Sequence, residues 1–316
     1  MIIIDLIIVI ISLTLLALIS ERTIRYASML AELFGMSQMA VGFIILSIST
    51  SLPELTVSVI ASIGGEGGLS FGNVMGSNIA NLTIILGLAI IFSRKRILIK
   101  EESQKELVQI LFIASIIPLF IIQRGSLSPV LGIVLLILFG YFSFNLSRKK
   151  SPEVKSLIPV KLSQKVTTLV KFFITIVFII IISNFTVSSS INIAYFLDLP
   201  PSLIGATIIG LGTSLPELST TIQALKQNKV EMALGNILGS CITNITLILG
   251  VSSVFNFYPV NITAAGGLIF FTLLSTMLIW YVINTKKLIN KRIAYFLLLI
   301  YAFFILQELG FSLFIF

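Results

Sequence analysis

Two glutamates carry most of the chemistry this sequence offers. Glu54 and Glu217 lie well inside long apolar runs, while the rest of the 13 acidic residues fall in polar segments or near run ends. Glu308 is the ambiguous one, followed by a mostly apolar stretch broken by Ser312. An ionised carboxylate within hydrocarbon costs at least ~2.5–3.5 kcal/mol and needs a partner or a water-filled cavity. No Lys or Arg lies inside the same runs. The missing partner is then a cation taken from solution. The competing reading is a protonated glutamate held by structural hydrogen bonds, and it weakens when one context occurs twice.

The neighbours of each glutamate fit a cation. Ser47, Thr50, Ser51 and Glu54 follow the spacing i, i+3, i+4, i+7, and Gly210, Thr213, Ser214 and Glu217 repeat it, so each set shares one helical face. Pro53 lacks an N–H and clashes with the Ser49 carbonyl, and Pro216 does the same to Gly212. Each helix should break just before its glutamate and free backbone carbonyls. Irregular backbone at membrane depth is tolerated only where it is buried or lines a cavity. Carboxylate, hydroxyl and carbonyl oxygens are hard ligands that suit Ca²⁺ or Na⁺. Taken singly, each Ser or Thr hydroxyl is better read as bonding its own helix.

Further along, Asn73, Ser77 and Asn81 are spaced i, i+4, i+8, as are Asn236, Ser240 and Asn244. Gly72 with Gly76, and Gly235 with Gly239, give the small-xxx-small pattern of closely approaching helices. Ser77, Asn81, Ser240 and Asn244 are assigned to the lining of an ion site, and Asn73 and Asn236 to packing. The alternative is that all of them join helices.

These positions match because the sequence repeats. Gly42–Leu55 aligns with Gly205–Leu218 at 8 of 14 residues, and Gly72–Leu88 with Gly235–Val251 at 10 of 17, both at an offset of 163. Shared aliphatics could follow from composition, but a repeated TSLPEL could not. The chain holds an internal duplication.

The elements that must position these residues are membrane helices. The chain is 57% hydrophobic and 11% charged, with a mean hydropathy of +1.10. Ten apolar runs near 2–20, 38–62, 70–92, 107–123, 127–146, 168–188, 201–225, 230–254, 260–283 and 292–313 have the length that crosses ~30 Å of hydrocarbon. The fold class expected is all-α and integral to the membrane. Of 21 Lys and Arg, 20 follow runs 1, 3, 5, 7 and 9, and only Arg124 falls on the opposite side. By the positive-inside rule both termini face outward. Five spans per half is odd, so the halves, 1–146 and 166–316, enter from opposite sides around a polar cytoplasmic linker at 147–165.

Several classes drop out. The charge of +8 is explained by topology, which removes the case for nucleic acid, and the absence of His excludes imidazole metal sites and His proton relays. Cys241 is the single cysteine and is read as a small packing residue. Trp280 is assigned to an interfacial aromatic belt. No Lys or Arg precedes Glu21, so the N-terminus is read as a retained span.

With these motifs the chain resembles the cation/calcium exchanger superfamily, in its sodium/calcium exchanger branch. The carriers are two α-repeats, 42–88 and 205–251, each with Thr-Ser-Leu-Pro-Glu followed by Gly-Asn-x-x-Gly-Ser-x-Ile-x-Asn. The resemblance implies ten helices with the second, third, seventh and eighth around the ion sites. It implies that Glu54 and Glu217 ligate Ca²⁺ with the carbonyls of Thr50 and Thr213. Ser51, Ser77, Ser214 and Ser240 would supply Na⁺ ligands, helped by the backbone oxygens of Ser47 and Gly210. It also implies that the first and sixth helices slide across the other eight.

One departure is informative. Some relatives, including potassium-dependent exchangers, have Asp where Asn244 stands; here Asn81 and Asn244 are both neutral. That argues against K⁺ co-transport and leaves two carboxylates. Two negative charges balance one Ca²⁺, two Na⁺ or two protons. The expectation is a Ca²⁺/Na⁺ antiporter of the plasma membrane, not an enzyme, with no cofactor, a lipid bilayer around it and a monomer as the transport unit. The rivals are a proton-coupled exchanger, a cation channel, and an intramembrane carboxylate protease, whose Gly-x-Gly-Asp context is absent.

Overall fold

In a computed structural model the described residues are 2–64, 67–93, 97–98, 102–119, 126–147, 162–196, 210–255, 258–259, 262–285 and 288–308. They form ten helical stretches. α1 is Ile2–Phe34, and α2 is a bent pair, α2a (Gln38–Thr50) and α2b (Leu52–Ile63). α3 runs through Gly67–Ala80, a π-helical turn at Asn81–Ile85, and Leu86–Ser93. α4 is Glu102–Ile116, α5 Pro129–Ser147 and α6 Leu162–Phe196. α7 comprises α7a (Gly210–Thr213) and α7b (Leu215–Lys226). α8 joins Val230–Thr243, a π-helical turn at Asn244–Ile248, and Leu249–Phe255. α9 is Ile262–Thr285 and α10 Lys291–Glu308.

Six of these helices are long and apolar enough to cross a membrane, and the bent pair α2 makes a seventh. α4 has only 15 residues, and α10 has 18 with charges at both ends, Lys291, Arg292 and Glu308. The part of the seventh run before Gly210, including 205–209 of the second α-repeat, lies outside the described residues. So do 148–161 of the linker and the residues after Glu308.

Burial separates inner helices from outer ones. In the apolar windows of α3 and α8, 83% of residues are buried, against 25% in α1 and 22% in α5 and α6. The outer helices turn large apolar side chains outward, such as Ile3, Ile7 and Ile10 on α1 and Val166, Val170, Phe173 and Val177 on α6. Continuous exposed apolar surface of this extent marks a membrane face. The inner helices instead bury their polar residues.

The helix of the first run continues past the apolar stretch 2–20, through the segment that joins the first two runs, to Phe34. Glu21, Arg22 and Arg25 end the apolar run but not the helix, because charged residues are good helix formers and Glu21 pairs with Arg25 one turn on at 3.5 Å. The helix stops at Gly35, whose φ of +65° is left-handed, with the Met36 N–H donating to the Ala31 carbonyl at 2.9 Å. At 33 and 35 residues, α1 and α6 are roughly 50 Å long and exceed the bilayer core. They lie along each other, and the Asn192 amide donates to Asp5 Oδ1 at 3.1 Å.

The all-α expectation needs one amendment. Two antiparallel ladders of two residues each cap the bundle: β1 (Ile97–Leu98) pairs with β4 (Leu288–Ile289), and β2 (Ser126–Leu127) with β3 (Tyr258–Pro259). Two residues are too few for alternation to register in a sequence. Their pairing is informative. β1 follows α3 as β3 follows α8, and β2 precedes α5 as β4 precedes α10. Exchanging matched elements turns one ladder into the other. The segments after α3 and α9 therefore meet at one end, and those after α4 and α8 meet in the other ladder.

Candidate ion site

Each glutamate sits just past a break that the following chemistry explains. Ser51 has φ −85° and ψ 12°, and Ser214 has φ −90° and ψ 9°. Both lie in the sparsely populated bridge region that ends a helical run. Pro53 and Pro216 cannot donate to the preceding turn, and α2a and α2b diverge by 45°. The backbone hydrogen bonds that bridge the breaks end on Ser47, Ser51 and Ser214, each at 3.0–3.1 Å. Among the described residues none of these ends on the carbonyl of Thr50 or Thr213.

Glu54 and Glu217 are fully buried. Each takes a hydroxyl from the other repeat. Ser214 Oγ donates to Glu54 Oε1 at 2.9 Å, and Ser51 Oγ donates to Glu217 Oε1 at 2.9 Å. Ser240 Oγ adds a second bond to Glu217 Oε1 at 3.2 Å. The opposite oxygens, Glu54 Oε2 and Glu217 Oε2, are buried with no hydrogen-bond partner. Neither carboxylate has an ion-pair partner among the described residues. Unsatisfied buried oxygens also belong to Ser77, Asn81 and Asn244, and Asn81 Nδ2 is unpartnered as well. A buried polar group without a partner costs about 1–3 kcal/mol. Unpartnered oxygens of this kind, with two carboxylates, have the chemistry that suits a hard cation.

The remaining expected residues divide by hydrogen bonding. Thr50 Oγ1 bonds back to Leu46 O at 3.0 Å, Thr213 Oγ1 to Gly210 O at 3.2 Å, and Ser47 Oγ to Phe43 O. These hydroxyls donate mainly within their own helices, and Thr50 Oγ1 also reaches Asn236 Oδ1 at 3.4 Å. Asn73 Nδ2 donates to Glu54 O at 3.1 Å and to Ser58 Oγ at 3.0 Å. Asn236 Nδ2 mirrors it toward Glu217 O at 3.5 Å and Thr221 Oγ1 at 3.0 Å. These two asparagines fasten the inner helices to the glutamate segments, in line with the packing role expected of them.

Close helix approach sets the site's width. A Cβ on Gly42 would lie 2.5 Å from Met232 O, and one on Gly235 would lie 2.7 Å from Met39 O. At Gly239 it would meet Phe43 and Ser47 Oγ at 2.9 Å. The same device recurs at the ends of the inner helices. Gly87 lies against Ala294 of α10 and its match Gly250 against Gly132 of α5. No described atom comes within 4 Å of a Cβ on Gly72.

Two features went unread in the sequence. Among the described residues π-helical segments lie at Val41–Ser47 within α2a and begin at Asn81 and at its match Asn244, and such segments concentrate at functional sites. Asn78 is fully buried, donates from Nδ2 to Cys241 O at 3.2 Å and accepts from Asn244 Nδ2 at 2.9 Å. Its signal was a mismatch. In an otherwise matched Gly-Ser-x-Ile motif, Asn78 aligns with Cys241.

Broken helices bringing unpaired carboxylates together inside an apolar-faced bundle define an ion-handling membrane transporter. The chain belongs to the sodium/calcium exchanger family: the sequence profile described as sodium/calcium exchanger protein matches residues 4–147 and 167–309. An uncharacterised membrane protein of Methanocaldococcus jannaschii is 32% identical over 255 residues, 81% of each chain. The sodium/calcium exchanger MaX1 of Methanosarcina acetivorans is 29% identical over 86% of this chain and 88% of its own. A solved structure of the sodium-calcium exchanger NCX_Mj, soaked with 2.5 mM Na⁺ and 10 mM Sr²⁺, superposes with a TM-score of 0.80 at 29% identity. It covers 96% of this chain and 98% of that one.

Proposed function

We propose that this chain is a secondary active antiporter exchanging Ca²⁺ for Na⁺ across the plasma membrane by alternating access. The observation that carries the reading is the pair of buried carboxylates, each with one oxygen held by a serine of the other repeat and one oxygen unpartnered. Glu54, Glu217 and the carbonyls of Thr50 and Thr213 form the Ca²⁺ site. Ser51, Ser77, Ser214, Ser240 and the backbone of Ser47 and Gly210 add Na⁺ ligands, with Asn81 and Asn244 lining the cavity.

Charge explains the coupling. One Ca²⁺ or two Na⁺ neutralise Glu54 and Glu217, so a loaded site can be enclosed in a low-dielectric interior. An empty site with both carboxylates ionised leaves two uncompensated charges, at several kcal/mol each. Crossing empty is therefore disfavoured, and exchange becomes obligatory. The architecture in this reading is ten spans in two inverted five-helix repeats, 1–146 and 166–316, with both termini outside and one chain as the transport unit. The reciprocal pairing of the two ladders supports it. α1 and α6, long, peripheral and packed on each other, are the elements that slide.

A shared site makes Na⁺ and Ca²⁺ compete, with reciprocally linked affinities. Calorimetric titration of Ca²⁺ at rising Na⁺ and constant ionic strength should show a falling apparent Ca²⁺ affinity. A Ca²⁺ affinity independent of Na⁺ would reject the shared site.

A further inference from the structure

The two repeats treat their paired asparagines differently. We propose that Asn78 is a positioning residue that turns the Asn244 amide so its oxygen, not its nitrogen, faces the ion site. The inference deepens the reading of that site as a Na⁺/Ca²⁺ exchange site and rests on it.

The orientation follows from a chain of forced assignments. A backbone carbonyl can only accept, so the bond from Asn78 to Cys241 O at 3.2 Å fixes the Asn78 Nδ2 end. Its Oδ1 is then the end facing Asn244, which must donate through Nδ2 at 2.9 Å. That leaves Asn244 Oδ1 buried, without a partner and available to a cation. An amide turned the other way would present two N–H dipoles to a positive ion. The first repeat has no such relay. Asn81 matches Asn244, but the position matching Asn78 is Cys241, and both amide atoms of Asn81 are unpartnered. The Asn78/Cys241 mismatch thus makes a pseudo-symmetric site polar in one direction.

An aspartate at position 244 would need no such device, since its two oxygens are equivalent. This predicts coupling between positions 78 and 244 that a structural role for Asn78 would not produce. Apparent Na⁺ affinity is measured in proteoliposome exchange for the wild type, Asn78→Ala, Asn244→Asp and the double variant. Asn78→Ala should weaken Na⁺ affinity about tenfold with Asn244 present, as expected for losing a buried hydrogen bond. With Asn244→Asp the same change should cost less than about twofold, giving a non-additive cycle. Equal losses in both backgrounds would overturn the positioning role. Cys241→Asn, nearly equal in volume, supplies a second arm should Asn78→Ala not fold. It would give Asn81 the missing partner and should raise Na⁺ affinity severalfold, and an unchanged or lower affinity would overturn the proposal. A wild type that shows no Na⁺-driven Ca²⁺ flux would reject the exchange reading itself, and the variants separate the two failures.

Discussion

Glu54→Gln and Glu217→Gln are each expected to abolish Ca²⁺ transport in a protein that still folds. Each carboxylate is fully buried and contributes half of the site's negative charge. Removing one side of a buried charge pair costs about 3–5 kcal/mol, or roughly two to four orders of magnitude in affinity. A glutamine cannot replace a carboxylate that binds a divalent ion. It can keep the structure, because its amide oxygen still accepts from Ser214 or Ser51, which now donate at 2.9 Å. Folding is checked by size-exclusion elution and thermal unfolding in detergent, and transport by Ca²⁺ uptake. Near-wild-type flux in either variant would remove that glutamate from the central site.

Gly42→Ala and Gly235→Ala should both impair assembly although they add a single methyl group. The new Cβ would lie 2.5 Å from Met232 O in the first and 2.7 Å from Met39 O in the second, so backbone must move against backbone. Overpacking of this kind costs about 1–3 kcal/mol. It would also push α2a away from α8, and Thr50 on α2a is among the residues that meet Asn236. Thermal unfolding and Ca²⁺ flux should both fall. The control is Gly140→Ala on α5, where nothing described lies within 4 Å of the added Cβ. Alanine there should be neutral or stabilising by up to about 1 kcal/mol, from helix propensity alone. Equal effects at all three positions would refute the close-approach argument.

The helix breaks and the burial of the two glutamates are legible in the sequence, because their causes are local. Proline without an N–H predicts a broken helix wherever it falls in a span, and both breaks occur at Ser51 and Ser214, just before their prolines. Duplication turned one intramembrane glutamate into two and made a structural role for each less economical. What could not be read depends on how helices cross. Ser51 shares a helical face with Glu54, yet it bonds Glu217 of the other repeat. Spacing along one helix says nothing about that. The role of Asn78 is hidden for the same reason, since its partners are 163 and 166 residues away. Hydropathy marks only the apolar part of α1, ending at Glu21, whereas helix geometry continues until a left-handed Gly35 stops it.

In the proposed exchange, one buried pair of carboxylates couples Ca²⁺ to Na⁺. The most direct test is ⁴⁵Ca²⁺ uptake into proteoliposomes containing this chain, preloaded in separate preparations with Na⁺, with K⁺ or with an acidic interior. Uptake should occur with internal Na⁺ and stay at background with K⁺ or acid. Uptake driven by the acidic interior, or equal in all three preparations, would contradict Na⁺/Ca²⁺ exchange.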